Sequence, residues 1–390
     1  MIHKRSLIVT MNKLTLLKTF IDNHAHLPEQ GSDAWLTQRL DRIGGSEISS
    51  VLKQNKNKSV NKLVMEKLNF DKFTGNVITY WGNVFEELIR LYSEDVFKCK
   101  ILETGSIPYH KGYLSYSPDG VGIVSKNTLT NHLKLEEMGL EDDREYLTLF
   151  EFKCPHSRIP DNNIPEHYRP QITIGMNIID IMEVGVFIQA VFRKCAFKDI
   201  AYNGLHNGFG HYKRAIMEGN PKETGFMVMY CDDHDYVNDL IEYLESDNRT
   251  KTIDGIVDIG SIYDAEAFEE IMKECVNKRI KVDYSYREKY CDRVFEADGM
   301  TQAFYNNALQ YRAMTALNSA MNLHKESIIG ILPYKLLDVY ITPVAKEHDY
   351  IDSSGALHKA KKVIDCINDH RKIGGTVKTE VAKSVRSYKL

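Results

Sequence analysis

The chain has 390 residues, 43% apolar and 27% charged, with 50 lysines and arginines against 54 aspartates and glutamates, for a formal net charge of −4. That length allows one large domain or two ordinary ones with ample core, and the charge balance excludes a broadly basic nucleic-acid-coating surface while allowing a local basic groove. No apolar run reaches the ~20 residues of a membrane span, the short apolar run after Lys4 and Arg5 falls short of a secretory signal, and seven scattered cysteines without a Cys-x-x-Cys pair fit a reducing, cytoplasmic compartment rather than a disulfide framework or structural zinc site.

Residues 11–30 carry a helical pattern through Leu14, Leu17, Phe20 and Ile21, ended by the polar stretch from His24 to Gly31. Ser32-Asp33 is an N-cap signal for a short helix with Trp35, Leu36 and Leu40 on its apolar side. Ile43-Gly44-Gly45-Ser46-Glu47 then reads as a turn opening another helix, with Ile48, Val51 and Leu52 inward. Two glycines and a serine ahead of a helix offer free N–H groups and a hydroxyl to an anion, although an ordinary helix entry has the same composition. Asn61–Phe70 is amphipathic, and a longer helix starts at Thr79-Tyr80-Trp81-Gly82 and runs to about Val96. Trp81, Phe85, Leu88 and Tyr92 mark its core face. Glu86 and Glu87 lie off that face; periodicity does not choose between them and leaves both facing solvent.

Thr104–Gly122 reads as two β segments about the turn signal Lys111-Gly112, with Asp119 in a Pro-Asp-Gly turn just after the Tyr-rich run Tyr109–Tyr116. Ser125–Glu145 is an acidic insertion (Glu136, Glu137, Glu141, Asp142, Asp143), a solvated loop or surface helix. Leu147, Leu149, Phe150 and Phe152 suit a buried strand, on which Glu151 and Lys153 point to one side. The pair is expected at the edge of an apolar sheet, with Pro155 ending the pairing. An Asp followed by Glu-x-Lys on a later strand is the constellation of metal-dependent nucleases. Two carboxylates hold a hard divalent cation, and a lysine beside it orients or deprotonates the attacking water. Singly, each motif has a blander reading, a common turn and a solvated cross-strand pair.

After a loop carrying His156, Arg158, Pro160 and Pro165, a helix starts near Pro170-Gln171 with Ile172, Met176 and Ile179 inward. Gly185–Phe192 is a strand closed by Arg193-Lys194, and Arg158, Arg169, Arg193 and Lys194 are candidates to line one groove. Beyond residue 215 the readable elements are a strand at Gly225–Tyr230 and helices at Tyr236–Leu244, Ala265–Val276 and Thr301–Leu323. A strand at Leu336–Val344 and a basic helix at Leu357–Lys372 follow.

Five motifs stand in one order: Trp35-x-x-x-Arg39 with Ile43-Gly44-Gly45-Ser46-Glu47, Trp81-Gly82-x-x-x-Glu86, Ser117-Pro118-Asp119-Gly120, Glu151-Phe152-Lys153-Cys154-Pro155, and Tyr168-x-x-Gln171. In that order residues from roughly 31 to 195 resemble the YqaJ-type viral recombinase family, the phage lambda-exonuclease-like members of the PD-(D/E)xK nucleases. The resemblance implies an α/β (α+β) fold with a restriction-endonuclease-like core, a central mixed β-sheet flanked by helices, and C-terminal elaborations. It divides the chain into an N-terminal helical segment (1–30), a nuclease core (31–215), an elaboration (216–330) and a C-terminal strand and helix packing on the core (331–390). It also implies two Mg²⁺ ions, with Mn²⁺ as a substitute, bound by Asp119, Glu151, Glu86 and the backbone carbonyl of Phe152. Lys153 would activate the water, and Gln171 would hold that lysine or the nucleophile. Arg39 and Ser46 resemble a pair that grips a 5′-phosphate, with Arg158 and Arg169 as further DNA contacts.

The activity so implied is 5′→3′ exonuclease action on linear duplex DNA in recombination, repair or replication, with a single-strand annealing protein as a partner. Phage relatives form ring-shaped trimers. The acidic insertion and the long segment after residue 195 are departures that put such a ring in doubt, and they look closer to exonuclease-like proteins of large cytoplasmic DNA viruses. Two other readings stay open: a structure-specific or restriction-like endonuclease, and a non-catalytic DNA-binding protein retaining the fold.

Overall fold

The computed structural model describes residues 12–28, 30–69, 74–132, 144–201, 221–246, 250–289 and 302–373. The acidic residues Glu136, Glu137, Glu141, Asp142 and Asp143 lie outside these, as does Cys291; the six described cysteines are free thiols.

Four short helices open the chain: α1 (Lys13–His24), α2 (Asp33–Leu40), α3 (Gly45–Val51) and α4 (Val60–Lys67). As expected from its Ser-Asp start, α2 is capped by Ser32, whose hydroxyl accepts from the Trp35 amide at 3.2 Å. Only Trp35 of its apolar trio is buried; Leu36 is 52% exposed and Leu40 36%. A helix of eight residues offers one narrow inward stripe, and the indole fills it. Between α2 and α3, Ile43–Gly44 is not a turn but a two-residue strand, β1, paired in parallel with Leu114–Ser115. The long α5 (Val77–Phe97) starts where Asn76 Oδ1 accepts from the amides of Ile78 and Thr79, both at 3.1 Å.

Two sheets follow. β1, β3 (Leu114–Tyr116) and β2 (Ile107–Pro108) form a small one in the order β1-β3-β2. Gly112, at φ +78°, makes the β2–β3 turn that the Lys-Gly signal announced. The large sheet has the order β10-β7-β11-β6-β5-β4. Its strands are β4 (Gly120–Ser125), β5 (Glu145–Lys153), β6 (Val184–Lys194), β7 (Glu223–Tyr230), β10 (Lys281–Lys289) and β11 (Ile328–Ala345), with β8 (Lys251–Ile253) and β9 (Ile256–Asp258) attached beside β11. Helix α6 (Lys126–His132) follows β4, and α8 (His234–Ser246) follows β7. β5 and β6 run parallel, joined through α7 (Arg169–Ile178); β4–β5, β6–β11, β11–β7 and β7–β10 are antiparallel. β5 is therefore an interior strand with β4 outside it, which corrects the expected edge position. The expected strand at 336–344 is half of an 18-residue strand that changes partners midway, pairing β7 through its first half and β6 through its second. Its first half was unreadable because it is buried on both faces and so shows no alternation.

Along β5 the side chains divide between two cores. Tyr146, Phe150 and Phe152 face the layer of α5 and α9 (Ala265–Val276), where Trp81, Phe85 and Leu88 of α5 lie. Leu147 and Leu149 face the layer of α3, α4, α7 and the C-terminal helix α11 (Ala356–Ile373). A third cluster packs α10 (Gln302–His324) against β7 and β11. Each fully buried Leu or Phe contributes roughly 1.5–3 kcal/mol. This two-sided burial fixes the β5 register, since a one-residue slip would reverse every side chain.

Candidate active site

Glu151 and Lys153 continue the row begun by Leu147 and Leu149, at the point where the apolar contacts of β5 give way to a cleft. Glu151 has 0% exposure. Its Oε2 accepts from the Tyr116 phenol at 2.6 Å, and its Oε1 accepts from the Lys153 ammonium. Asp119 sits in the loop between β3 and β4. Its Oδ2 accepts from the Phe152 amide at 2.7 Å and lies 4.0 Å from Lys153 Nζ. Glu86 reaches the same place from α5, whereas Glu87 pairs with Arg90. The structure thus separates the two glutamates that periodicity left together: Glu86 faces the cleft, not open solvent. Glu86, Asp119, Phe152, Lys153, Arg39 and Ser46 all line this cleft of about 1510 Å³, and Gln171 and Arg158 do as well.

Burial pushes the Glu86 carboxyl up to about 7, the Lys153 ammonium opposing and the Glu151 charge adding to the rise. Burial and the charges of Glu151 and Glu86 hold Asp119 well above the usual carboxylate range. Lys153 is held above the ordinary lysine value because Glu151 and Asp119 outweigh a burial that alone would lower it. The folded-state affinity of Glu86 for the proton exceeds the unfolded one, so the folded state binds more protons between pH 4.5 and about 7 and loses stability as pH rises through that window. The loss is on the order of 3 kcal/mol. Urea unfolding in EDTA from pH 4 to 8 is expected to show it in the native chain and a flatter profile in Glu86→Gln; parallel profiles would refute it.

The glycine-rich segment is built around a second buried charge cluster. The Arg39 guanidinium lies 4.5 Å from the Trp35 ring, donates to Ser46 Oγ at 3.2 Å, and stands 3.6 Å from Glu47 Oε1. Glu47 Oε2 accepts from the Gly44 amide at 2.8 Å and from Lys67 at 3.0 Å, and Lys67 also donates to the carbonyls of Arg39 (2.7 Å) and Arg42 (2.9 Å). Of the amides expected in the cradle, the Gly44 N–H is taken by Glu47, and the Arg39 guanidinium and the Ser46 hydroxyl stand beside it as candidate anion contacts. Although burial pushes Glu47 up, Lys67, Arg39 and the Gly44 amide together hold it below the usual carboxylate range. The Trp35 indole N–H donates to Ser117 Oγ at 3.2 Å, joining this cluster to the Asp119 loop.

The four basic residues expected in one groove part company. Arg158 lines the cleft and donates to Gln189 Oε1. Arg169, 67% exposed, pairs with Glu347 at 3.6 Å away from the cleft lining; Arg193 is buried against the Pro155 and Phe192 carbonyls; and Lys194 donates to the Ile262 carbonyl. Tyr116 and Lys67 were not singled out from the sequence. Their signal was faint: a tyrosine two residues before Pro118, and a lysine on the apolar side of an amphipathic helix.

The donor set of Glu86, Asp119, Glu151 and a strand-end carbonyl is all oxygen and acidic, which suits Mg²⁺ or Mn²⁺ rather than zinc. Among the described residues, no three His, Cys, Asp or Glu side chains form a preformed metal cage. Glu151 is folded onto Lys153 and Tyr116, and Asp119 onto the Phe152 amide, so the Lys153 ammonium is the cation shared by these carboxylates among the described residues. The raised proton affinities of Glu86 and Asp119 mark a site short of positive charge, and the residues fit a divalent ion.

Residues 34–181 match the model of the YqaJ-like viral recombinase domain. The chain is similar to a protein of African swine fever virus, 30% identical over 209 residues for strain Badajoz 1971 Vero-adapted and 28% over 204 residues for isolate Tick/South Africa/Pretoriuskop Pr4/1996. Both alignments cover 49% of this chain and 58% of the relative, so the chain spans little more than half the length of the relatives it matches. Among solved structures it is similar to the alkaline exonuclease LHK-Exo of Laribacter hongkongensis, with 18% identity, a TM-score of 0.31, and coverage of 41% of this chain and 74% of that one.

Proposed function

We propose that this chain, whose residues 34–181 are a YqaJ-like viral recombinase domain, is a Mg²⁺-dependent exonuclease that degrades linear duplex DNA from its 5′ ends in recombination, repair or replication. The observation that carries the reading is that Arg39 and Ser46, hydrogen-bonded to each other, share one cleft with Asp119, Lys153 and Glu86.

Asp119, Glu151 and Glu86, with the Phe152 carbonyl, would hold the ions, two in number by the family resemblance. When bound, divalent cations acidify water and neutralise charge building on the phosphate. In the hydrolysis, water oxygen joins phosphorus, the P–O3′ bond breaks in line, and the departing 3′-oxygen takes up a proton. The released mononucleotide carries its own 5′-phosphate, and the shortened strand again begins with one. Arg39 and Ser46 therefore meet the same dianion after every cut, a fork-and-hydroxyl grip suited to phosphate. Lys153 fixes the Glu151 carboxylate and stands beside Asp119, where its ammonium is placed to orient the attacking water. Trp35 ties the guanidinium to the Asp119 loop, so end binding and phosphodiester placement are set by one rigid unit.

The test uses blunt linear duplexes, 5′-phosphorylated or 5′-hydroxyl, beside a closed circle, each with Mg²⁺ or EDTA. Mononucleotide release from the phosphorylated linear DNA, abolished by EDTA, is the expected result. Cutting of the circle would replace the exonuclease reading with an endonuclease, and no hydrolysis by folded protein would leave a DNA-binding role.

A further inference from the structure

Tyr116 is buried behind the cleft, in contact with the start of α3 at Gly45 and with Glu151 of β5. Its ring is clamped between two helices at points where each carries glycine. A Cβ built on Gly45, the first residue of α3, would stand 2.5 Å from Tyr116 Cδ2. One built on Gly175, in α7, would stand 2.5 Å from Tyr116 Cε1 and from Cζ. Contacts that close do not occur between real side chains, so glycine at both positions is what lets the ring lie flat between α3 and α7. The ring is 1% exposed, and its hydroxyl makes the 2.6 Å bond to Glu151. Gly45 directly precedes Ser46, and α7 begins beside Gln171, whose Cγ lies 3.5 Å from that same Gly45 position.

On the reading of Arg39 and Ser46 as an end-phosphate grip, we propose that Tyr116 is a positioning residue that couples the grip to the reacting centre: the seating of α3 on the 5′-phosphate sets the tilt of the Tyr116 ring, and its hydroxyl sets the Glu151 carboxylate. A phosphorylated end then does more than bind tightly. It completes the alignment of Glu151, so that turnover, and not only affinity, depends on the end group. Close packing makes the coupling rigid, since a ring held between two helices cannot move independently of them, and the hydrogen bond passes the setting on without a further moving part. Partners of this kind, one bond behind a ligand, typically change activity roughly 10–100-fold when removed.

The experiment compares native chain, Tyr116→Phe and Gly175→Ala on 5′-phosphorylated and 5′-hydroxyl duplexes. Two quantities are read: end binding in EDTA, by fluorescence anisotropy, and the saturating single-turnover rate in Mg²⁺. The native chain should favour the phosphorylated end in both. Tyr116→Phe should keep the binding preference within about twofold while its rate on the phosphorylated end falls roughly 10–100-fold toward the rate on the hydroxyl end. Gly175→Ala keeps the hydroxyl but displaces the ring, and should collapse the rate ratio in the same way; it carries the test should Tyr116→Phe not fold. A variant that slows both ends equally, preserving the ratio, would show that Tyr116 holds Glu151 without reporting on the end, and overturns the coupling. Loss of the binding preference in EDTA would overturn it too, making the tyrosine part of the phosphate pocket. A native chain with no end preference in either measurement would instead remove the end-recognition reading on which the coupling rests.

Discussion

Glu151→Gln and Asp119→Asn are each expected to lower the rate of duplex hydrolysis by roughly a thousandfold or more, equivalent to about 4 kcal/mol of transition-state stabilisation, while leaving DNA-end binding in EDTA nearly unchanged. Both substitutions keep size and shape. A glutamine oxygen at position 151 would still accept from the Tyr116 hydroxyl, though its amide no longer accepts from Lys153, and an asparagine oxygen at position 119 would still accept from the Phe152 amide, so each side chain keeps one of the bonds that position it. What disappears is one negative charge from a set of three. A divalent cation bound by oxygen donors depends on that charge more than on their geometry. Two measurements separate the effects: single-turnover hydrolysis with Mg²⁺, and the fluorescence anisotropy of a labelled duplex end without it. Full hydrolysis by either variant would remove that carboxylate from the reacting centre, and a parallel loss of end binding would mean that the substitution had disturbed the Arg39–Ser46 side of the cleft.

Lys153→Met is expected to reduce stability without metal by roughly 3–5 kcal/mol at pH 8, the usual consequence of removing one partner from a buried ion pair. Methionine matches the stem of lysine but leaves Glu151, with no exposure, facing Asp119 and Glu86 without the ammonium that links them. The defect should shrink as pH falls to 5, because Glu86 and Asp119 have raised proton affinities and become neutral before an ordinary carboxylate does. Adding Glu151→Gln to Lys153→Met should restore part of the lost stability, a non-additivity that only directly interacting charges produce. Urea unfolding of the single and double variants at pH 5 and 8, in EDTA, decides it. A defect of equal size at both pH values would place the lysine's contribution in packing rather than charge.

Much of the site was legible because it rests on local rules. A strand puts residues two apart on one side, so Glu151 and Lys153 were placed together without knowing the fold, and the Ser32 cap and Gly112 turn were each specified within a few residues. The α5 face was readable for the same reason. Periodicity did not separate Glu86 from Glu87, because both flank the apolar stripe; the Trp81-Gly82-x-x-x-Glu86 motif of the family resemblance picked out Glu86, and it is Glu86 that lines the cleft while Glu87 pairs with Arg90. Tyr116 was beyond sequence reasoning in a stronger sense. Its role depends on two glycines, Gly45 and Gly175, far away in the chain on opposite sides, and on a carboxylate 35 residues downstream, contacts that no periodicity announces. The scattered arginines divide, Arg158 lining the cleft and Arg169 pairing with Glu347, since composition offers no way to tell a basic residue aimed at a cleft from one paired on the surface. β10 and the first half of β11 were missed as strands, one by irregular pairing and the other by burial on both faces.

The position of β11 has a consequence for how the chain is made. This strand, residues 328–345, bridges β6 and β7 in the large sheet, and it hydrogen-bonds along nearly the whole of β6. On the ribosome, residues 34–194 emerge with every reacting side chain already synthesised, yet the apolar edge of β6 stays open until a strand made much later arrives to close it. Long-range strand insertion of this sort is slow, and an open apolar edge invites other chains in the meantime. The nascent chain therefore spends its vulnerable interval with a nearly finished cleft on an unfinished sheet. The step that commits it to its native form comes late, when β11 threads between two strands already waiting for it.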